Sequence, residues 1–172
     1  GGAAGIIVPM VETKEDVDDI IDFSYYSPYG KRSFGLYSHN LYGIDKDHLK
    51  IKKYKPEIIL QIESLKGINN LESILSNKLI SGSLIGRYDL SLTLNEPGNF
   101  KSQKFKRCIK KYFSICKKKK VKSGIHLAEF DLKNIKSEIK NYDLIAIGTD
   151  FIFLKKMCDL LFKNIEWVLQ PT

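Results

Sequence analysis

Short apolar runs and longer stretches of helical period alternate along the whole chain. Residues 5–11 (GIIVPMV), 57–63 (EIILQIE), 79–86 (LISGSLIG), 123–127 (SGIHL) and 143–148 (DLIAIG) have strand length and mostly β-branched or apolar content, which predicts buried strands. Between them, apolar residues recur every three or four positions. Val17, Ile20 and Ile21 form one stripe behind Thr13, an N-cap with Asp16 three residues on in a weak capping box. Ile68, Leu71, Ile74 and Leu75 mark a second helix. Phe105, Cys108, Ile109, Tyr112, Phe113 and Cys116 share one face of a long helix over residues 101–119. Leu132, Ile135 and Ile139 define another, and residues 151–164 the last. Residues 25–43, rich in Tyr, Ser and Gly, and residues 87–100 read as loops; a loop as long as the first is often functional.

A strand followed by a helix, five times over with short links, predicts an α/β fold of parallel strands with helices packed outside them. No internal repeat and no second domain interrupts residues 1–172. Five parallel strands fit either an open doubly wound sheet or part of an eight-stranded barrel, and periodicity leaves both open. In either, chemistry belongs at the C-terminal ends of the strands.

Composition narrows the surroundings rather than the reaction. The 172 residues are 43% hydrophobic and 28% charged, as in soluble domains large enough for a real core. No apolar run approaches the roughly 20 residues of a membrane span, and no signal-peptide pattern opens the chain. The start at Gly1 rather than Met suggests a processed terminus or a piece of something longer. Cys108, Cys116 and Cys158 have no CxxC spacing, and the first two lie inside a helical pattern; they read as buried apolar groups in a reducing cytoplasm. The net charge of +8 is spread along the chain. Its one dense run, Lys117 to Lys120 with Lys122, falls where a helix should end and suits the negative end of the helix dipole. It is read as a solvated helix terminus, with no nucleic-acid partner and no membrane.

Two strand ends stand out. The run IILQIE finishes with Gln61 and Glu63 on one face, because side chains two apart in a strand point the same way. The run SLIGRYDLS carries Asp89 just past a glycine. Two carboxylates with water or substrate oxygens form the hard-ligand set of Mg²⁺ or Mn²⁺. No His or Cys at either strand end points to structural zinc. From the residues alone, solvated or helix-capping carboxylates remain the alternative.

The segments GIIVPMVET, YYSPYGKRSFG, QIES, NLESIL, IGRYDLS and GIH, in this order, resemble the second part of the HpcH/HpaI aldolase family, over about residues 1–154. The resemblance implies a (β/α)8 TIM barrel of the phosphoenolpyruvate/pyruvate-binding type, represented here by about strands 4 to 8. It implies a class II aldolase that cleaves or forms 4-hydroxy-2-oxo acids, with pyruvate as common product and a metal-stabilised enolate. By the same resemblance Glu63 and Asp89 hold the divalent metal, Mg²⁺ or Mn²⁺ with Co²⁺ a further candidate. Gln61, Tyr88, Asp89, Pro9 and Met10 bind substrate, Tyr88 and Asp89 through backbone amides. The implied partners are a 2-oxo acid, an aldehyde and further copies of the same chain.

The chain also departs from the family. The segments with its histidine base and an arginine at the end of the third strand are expected upstream of Gly1. Arg87 stands where the family usually has proline, two residues before Asp89: it either reaches the metal site, grips a substrate carboxylate, or points to solvent or a nearby acid. His126 is a packed lumen residue or a participant in the site, and His39 and His48 read as surface residues. Alternatives to the aldolase are a catalytically incomplete relative that binds metal or 2-oxo acid or serves as a structural subunit, and a citrate-lyase-like acyl-CoA lyase.

Overall fold

Three of the helices begin where the sequence supplies a side-chain cap, at Thr13, Ser64 and Ser102. In the computed structural model, which describes residues 3–36, 42, 55–128, 135, 136, 138 and 140–168, strand β1 (Gly5–Val8) stops at Pro9, which has no N–H to continue a ladder. Helix α1 (Lys14–Ser24) follows with the full capping box: Thr13 accepts from the Asp16 amide and Asp16 from the Thr13 amide. Then come β2 (Glu57–Ile62), α2 (Leu65–Ile74) capped by Ser64, and β3 (Gly82–Ile85). Helix α3 (Arg87–Thr93) leads to α4 (Gln103–Lys119), capped by Ser102. Strands β4 (Lys122–Leu127) and β5 (Leu144–Ile147) and helix α5 (Asp150–Val168) complete the order.

Helix α3 corrects the reading of residues 87–100 as loop. Its signal is only two apolar residues four apart, Leu90 and Leu94, both buried. The hydroxyls of Ser91 and Thr93 turn back onto the carbonyls of Tyr88 and Leu90, which hides a short helix behind polar letters. At the end of α4, Lys120 adopts a left-handed cap at φ +57°, and Lys118 and Lys119 pair with Glu72 of α2. Part of the lysine run is thus tied to its own neighbour. Residues 25–36 fold back on α1, with the buried Tyr25 hydroxyl donating to the Pro56 carbonyl at 2.8 Å. His39 and His48 lie outside the described residues, as do Leu132 and Ile139 of the predicted fourth helix.

All five strands are parallel, in the order β1-β2-β3-β4-β5. Each crossover therefore returns to the adjacent position in one direction. A doubly wound sheet would reverse its order at a switch point, so the curled sheet is a partial α/β barrel. Parallel partners share a face, and the registers Ile58 with Ile6, Leu60 with Ser83, and Ile62 with Ile85 and Ile125 mark the helix side. There Ile58, Leu60, Ile62, Ile85, Ile125 and Leu127 are buried with Ile68, Leu71 and Ile74 of α2 and Phe105, Cys108, Tyr112 and Cys116 of α4. No helix among the described residues is long and apolar enough to cross a membrane.

Tyr112 anchors α4 to the sheet. Its buried hydroxyl donates to the Ser83 carbonyl at 2.9 Å and accepts from the Gly124 amide at 3.0 Å, joining β3 and β4 through one oxygen. Burial pushes its ionisation far up, so it is a neutral donor and acceptor. Tyr112→Phe strands these partners in the core and is expected to cost about 1–3 kcal/mol of unfolding free energy, read by urea denaturation.

Candidate functional site

The opposite face of the sheet is the barrel lumen. From register and alternation it carries Ile7 on β1, Ile59 and Gln61 on β2, Leu84 on β3, Gly124 and His126 on β4, and Leu144 and Ala146 on β5. Glu63, one step past β2, continues the row of Ile59 and Gln61. The same face carries Glu57 and Lys122 at the N-terminal ends of β2 and β4, so the middle of the lumen is apolar and both ends are polar.

Glu63 is 4% exposed and makes two hydrogen bonds. Oε1 accepts from the Met10 amide at 2.8 Å and Oε2 from Gln61 Nε2 at 2.6 Å. Both donors are neutral, and no lysine or arginine pairs with Glu63 among the described residues. The Met10 amide is aimed by a left-handed backbone, φ +53°, a conformation that costs energy in a side-chain-bearing residue and collects at functional sites. Gly86 lies against the same carboxylate: a Cβ there would stand 2.5 Å from Glu63 Oε2 and 2.6 Å from Glu63 Cβ. Sequence reading missed both Gly86 and the Met10 turn; the glycine before Arg87 was the visible signal for the first.

Asp89 sits in the first turn of α3, three residues after Gly86, and is exposed. Its carboxylate has no hydrogen bond or ion pair among the described residues. No side chain caps α3, so its first amides have no side-chain acceptor. Pro9 and Met10 are exposed at the end of β1, Met10 by 54%. The Tyr88 ring packs edge-on against Phe100 at 5.1 Å, which leaves its backbone rather than its side chain to face a ligand. Glu12, a further acid at this end of the sheet, is committed elsewhere: hydrogen bonds from Ser64 and then Lys66 hold it below the usual carboxylate range.

Arg87 takes the nearby-acid option. Its guanidinium lies 4.8 Å from the Phe100 ring centroid and 3.8 Å from Glu138, with a buried Nε that has no hydrogen-bond partner. These residues line an outer cavity of about 240 Å³ with Phe105, Lys106, Ile109 and Tyr142. Burial, then Glu138, push the Tyr142 hydroxyl up to about 12 while Arg87 pulls it back. His126 is half-buried on the lumen face, its Nε2 3.2 Å from the Gly148 carbonyl.

The arrangement fits a divalent cation. A buried carboxylate has both oxygens met by neutral donors only, and an uncommitted carboxylate stands past the adjoining strand end. No group of three or more His, Cys, Asp or Glu lies together among the described residues to form a closed cage. Two hard oxygen ligands with room for water and substrate oxygens suit Mg²⁺ or Mn²⁺, not structural zinc.

The sequence profile of the HpcH/HpaI aldolase/citrate lyase family matches residues 1–152. The chain is 29% identical over 156 residues to the 5-keto-4-deoxy-D-glucarate aldolase of Klebsiella pneumoniae subsp. pneumoniae, covering 87% of this chain and 58% of that enzyme. It therefore spans less than two thirds of the curated relatives it matches. Among solved structures, the HpcH/HpaI aldolase from Desulfitobacterium hafniense DCB-2 superposes with a TM-score of 0.81 at 21% identity, over 99% of this chain and 66% of that one. An HpcH/HpaI aldolase/citrate lyase family protein from Burkholderia cenocepacia J2315 gives 0.83 at 21% identity, over 96% and 66%. At such identities these two likenesses speak to the fold.

Proposed function

The chain belongs to the HpcH/HpaI aldolase/citrate lyase family, and from that premise we propose that its site makes and breaks the carbon–carbon bond of 4-hydroxy-2-oxo acids, with pyruvate as the common product. The observation that carries the proposal is Glu63: buried at the lumen rim, backed by Met10 and Gln61, and free of any paired cation among the described residues. Glu63 and Asp89 are the proposed ligands of Mg²⁺ or Mn²⁺. Such a cation supplies positive charge where the negative charge of an enolate develops.

The protein's own residues do the rest. The Met10 amide and Gln61 hold both oxygens of Glu63, so the carboxylate is oriented before any ligand arrives. The amides at Tyr88 and Asp89 are the proposed donors to a substrate carboxylate, a role supported by the lack of a side-chain cap on α3. Pro9 and Met10 wall the rim beside them, and Ile7, Ile59 and Leu84 present apolar side chains on the lumen face below it. Further copies of the chain are proposed as partners, supported by the exposed Phe151, Leu154, Met157 and Leu161 of α5. The free cysteines support a reducing cytoplasm as its place.

Incubated with Mg²⁺ or Mn²⁺, pyruvate and a short aldehyde, the full chain is expected to form a 4-hydroxy-2-oxo acid, and Asp89→Asn to reduce its rate at least about a hundredfold. Equal product from parent and variant overturns the reading. A second reading, a relative that binds metal and 2-oxo acid without turnover, needs only the Glu63 and Asp89 pair and the rim around it. Calorimetric binding of Mn²⁺ and pyruvate without product favours it. Cleavage of a 3-hydroxyacyl-CoA in place of the 2-oxo acid would instead favour the citrate-lyase side of the family.

A further inference from the structure

We propose that the outer cavity beside α3 and α4 is a second binding site, one that takes a small monocarboxylate with an apolar body. Helical spacing assembles its walls. Phe105 and Ile109 lie four apart on α4 with Lys106 next to them. Glu138 and Tyr142 are likewise four apart, and the Tyr142 amide donates to the Glu138 carbonyl at 3.3 Å. Arg87 comes from the start of α3 and Phe100 from the turn before α4. Phe105 belongs to the core between α4 and the sheet, so the cavity lies on the helix side, across the sheet from the lumen and Glu63. It does not depend on the aldolase reading.

The donors of this cavity are unmet. The Arg87 side chain is only 20% exposed and carries five N–H groups. None makes a hydrogen bond among the described residues: Nε is buried without a partner, and Glu138 Oε1 at 3.8 Å is too far away to accept. The Phe100 ring, 4.8 Å from the guanidinium, holds it in place through its π face instead. A buried donor left unmet is costly, more so on a charged group, and an acceptor that fits is correspondingly favoured. Lys106 beside it is exposed and has no ion pair among the described residues. The Tyr142 hydroxyl, pushed up to about 12 mainly by burial, stays a neutral donor. Against these groups stands one carboxylate among the lining residues, Glu138, so the cavity keeps a positive excess.

Charge and shape together select the ligand. A carboxylate meets the guanidinium fork with two parallel hydrogen bonds. Two cations against Glu138 leave a single positive charge to match, which suits a monoanion better than a phosphate dianion. Phe100 and Phe105, with ring centroids 5.4 Å apart, and Ile109 offer apolar surface to the rest of the molecule. The volume of about 240 Å³ lies below the about 300–1,000 Å³ of pockets for drug-sized ligands, so the acid is small. Glu138 competes with it for Arg87.

Benzoate is the probe, titrated into the isotope-labelled full chain without metal, so that no cation at the lumen acids attracts it. The amide signals of Phe100, Lys106 and Tyr142 are expected to shift with one common dissociation constant, while those of Met10 and Glu63 stay in place. Arg87→Gln is expected to weaken binding at least about tenfold. Lys106→Gln, on an exposed side chain, should weaken it about two- to fivefold, and Glu138→Gln should tighten it. Benzyl alcohol, which has the ring without the charge, is expected to bind at least about tenfold more weakly than benzoate. The absence of a saturable shift, shifts centred on Met10 and Glu63, or parental affinity in Arg87→Gln overturns the proposal. If Arg87→Gln does not fold, parental affinity in both Lys106→Gln and Glu138→Gln overturns it. The aldolase reading stands or falls separately.

Discussion

Glu63→Gln is expected to weaken Mn²⁺ binding by at least about a hundredfold, more than the 10- to 100-fold that loss of an outer-shell partner alone causes. The substitution keeps the volume of the side chain and removes its charge. One oxygen remains to accept from either Met10 or Gln61, while the new amide group must face a donor where it previously offered an acceptor. Because the carboxylate is buried and matched with neutral donors only, its charge has no other use in the described structure. Stability should therefore change little, or rise as a lone buried charge disappears. Calorimetry with Mn²⁺ reads the first effect and urea unfolding the second. Parental affinity in the variant would mean that the cation is held by other groups.

The second large effect is expected from Gly86→Ala, which touches neither proposed ligand chemically. The added methyl would lie 2.5 Å from Glu63 Oε2, 2.6 Å from Glu63 Cβ and 3.3 Å from Gln61 Nε2. The first two contacts are too close to survive, and Glu63 Cβ is not the far end of a flexible chain. Either β2 and β3 spread at their C-terminal ends or Glu63 swings away from Met10. Overpacking of this kind costs about 1–3 kcal/mol, read by urea denaturation. Mn²⁺ affinity should fall about as far as in Glu63→Gln, because the carboxylate loses its place. A stable variant with parental Mn²⁺ affinity would show that the position of Glu63 against Gly86 does not matter to binding.

These two variants mark where sequence reading was strong and where it thinned. Five strands were legible because β-branched runs of four to six residues are rare outside a sheet, and their alternation with helices left parallel pairing as the natural outcome. The capping box at Thr13 and the buried face of α4 were legible because both are local patterns, set within a few residues. Helix α3 was not, since seven residues carry too little periodicity to separate a helix from a loop. Arg87 was left between three fates because its choice depends on Phe100 and Glu138, residues 13 and 51 positions away in the chain.

The candidate site divides the same way. Alternation placed Gln61 and Glu63 on one face, and the surrounding motifs pointed to Glu63 and Asp89 together. Nothing in the order of residues says that the Met10 amide turns, at φ +53°, onto a carboxylate 53 residues away, or that Gly86 is the surface Glu63 rests on. Nor does it say that His126 stands on the same rung as Glu63. Strand length, helix faces and caps are written in neighbours along the chain, because dihedral preference and side-chain period act over a few residues. Which rung faces which is decided by register between strands, and register follows from packing the whole sheet against its helices. For this protein the sequence by itself determined the strands, the helix faces and the two acids worth watching. The tertiary structure alone decided that Glu63 is buried against Met10, Gln61 and Gly86, and that the histidine of β4 shares its face.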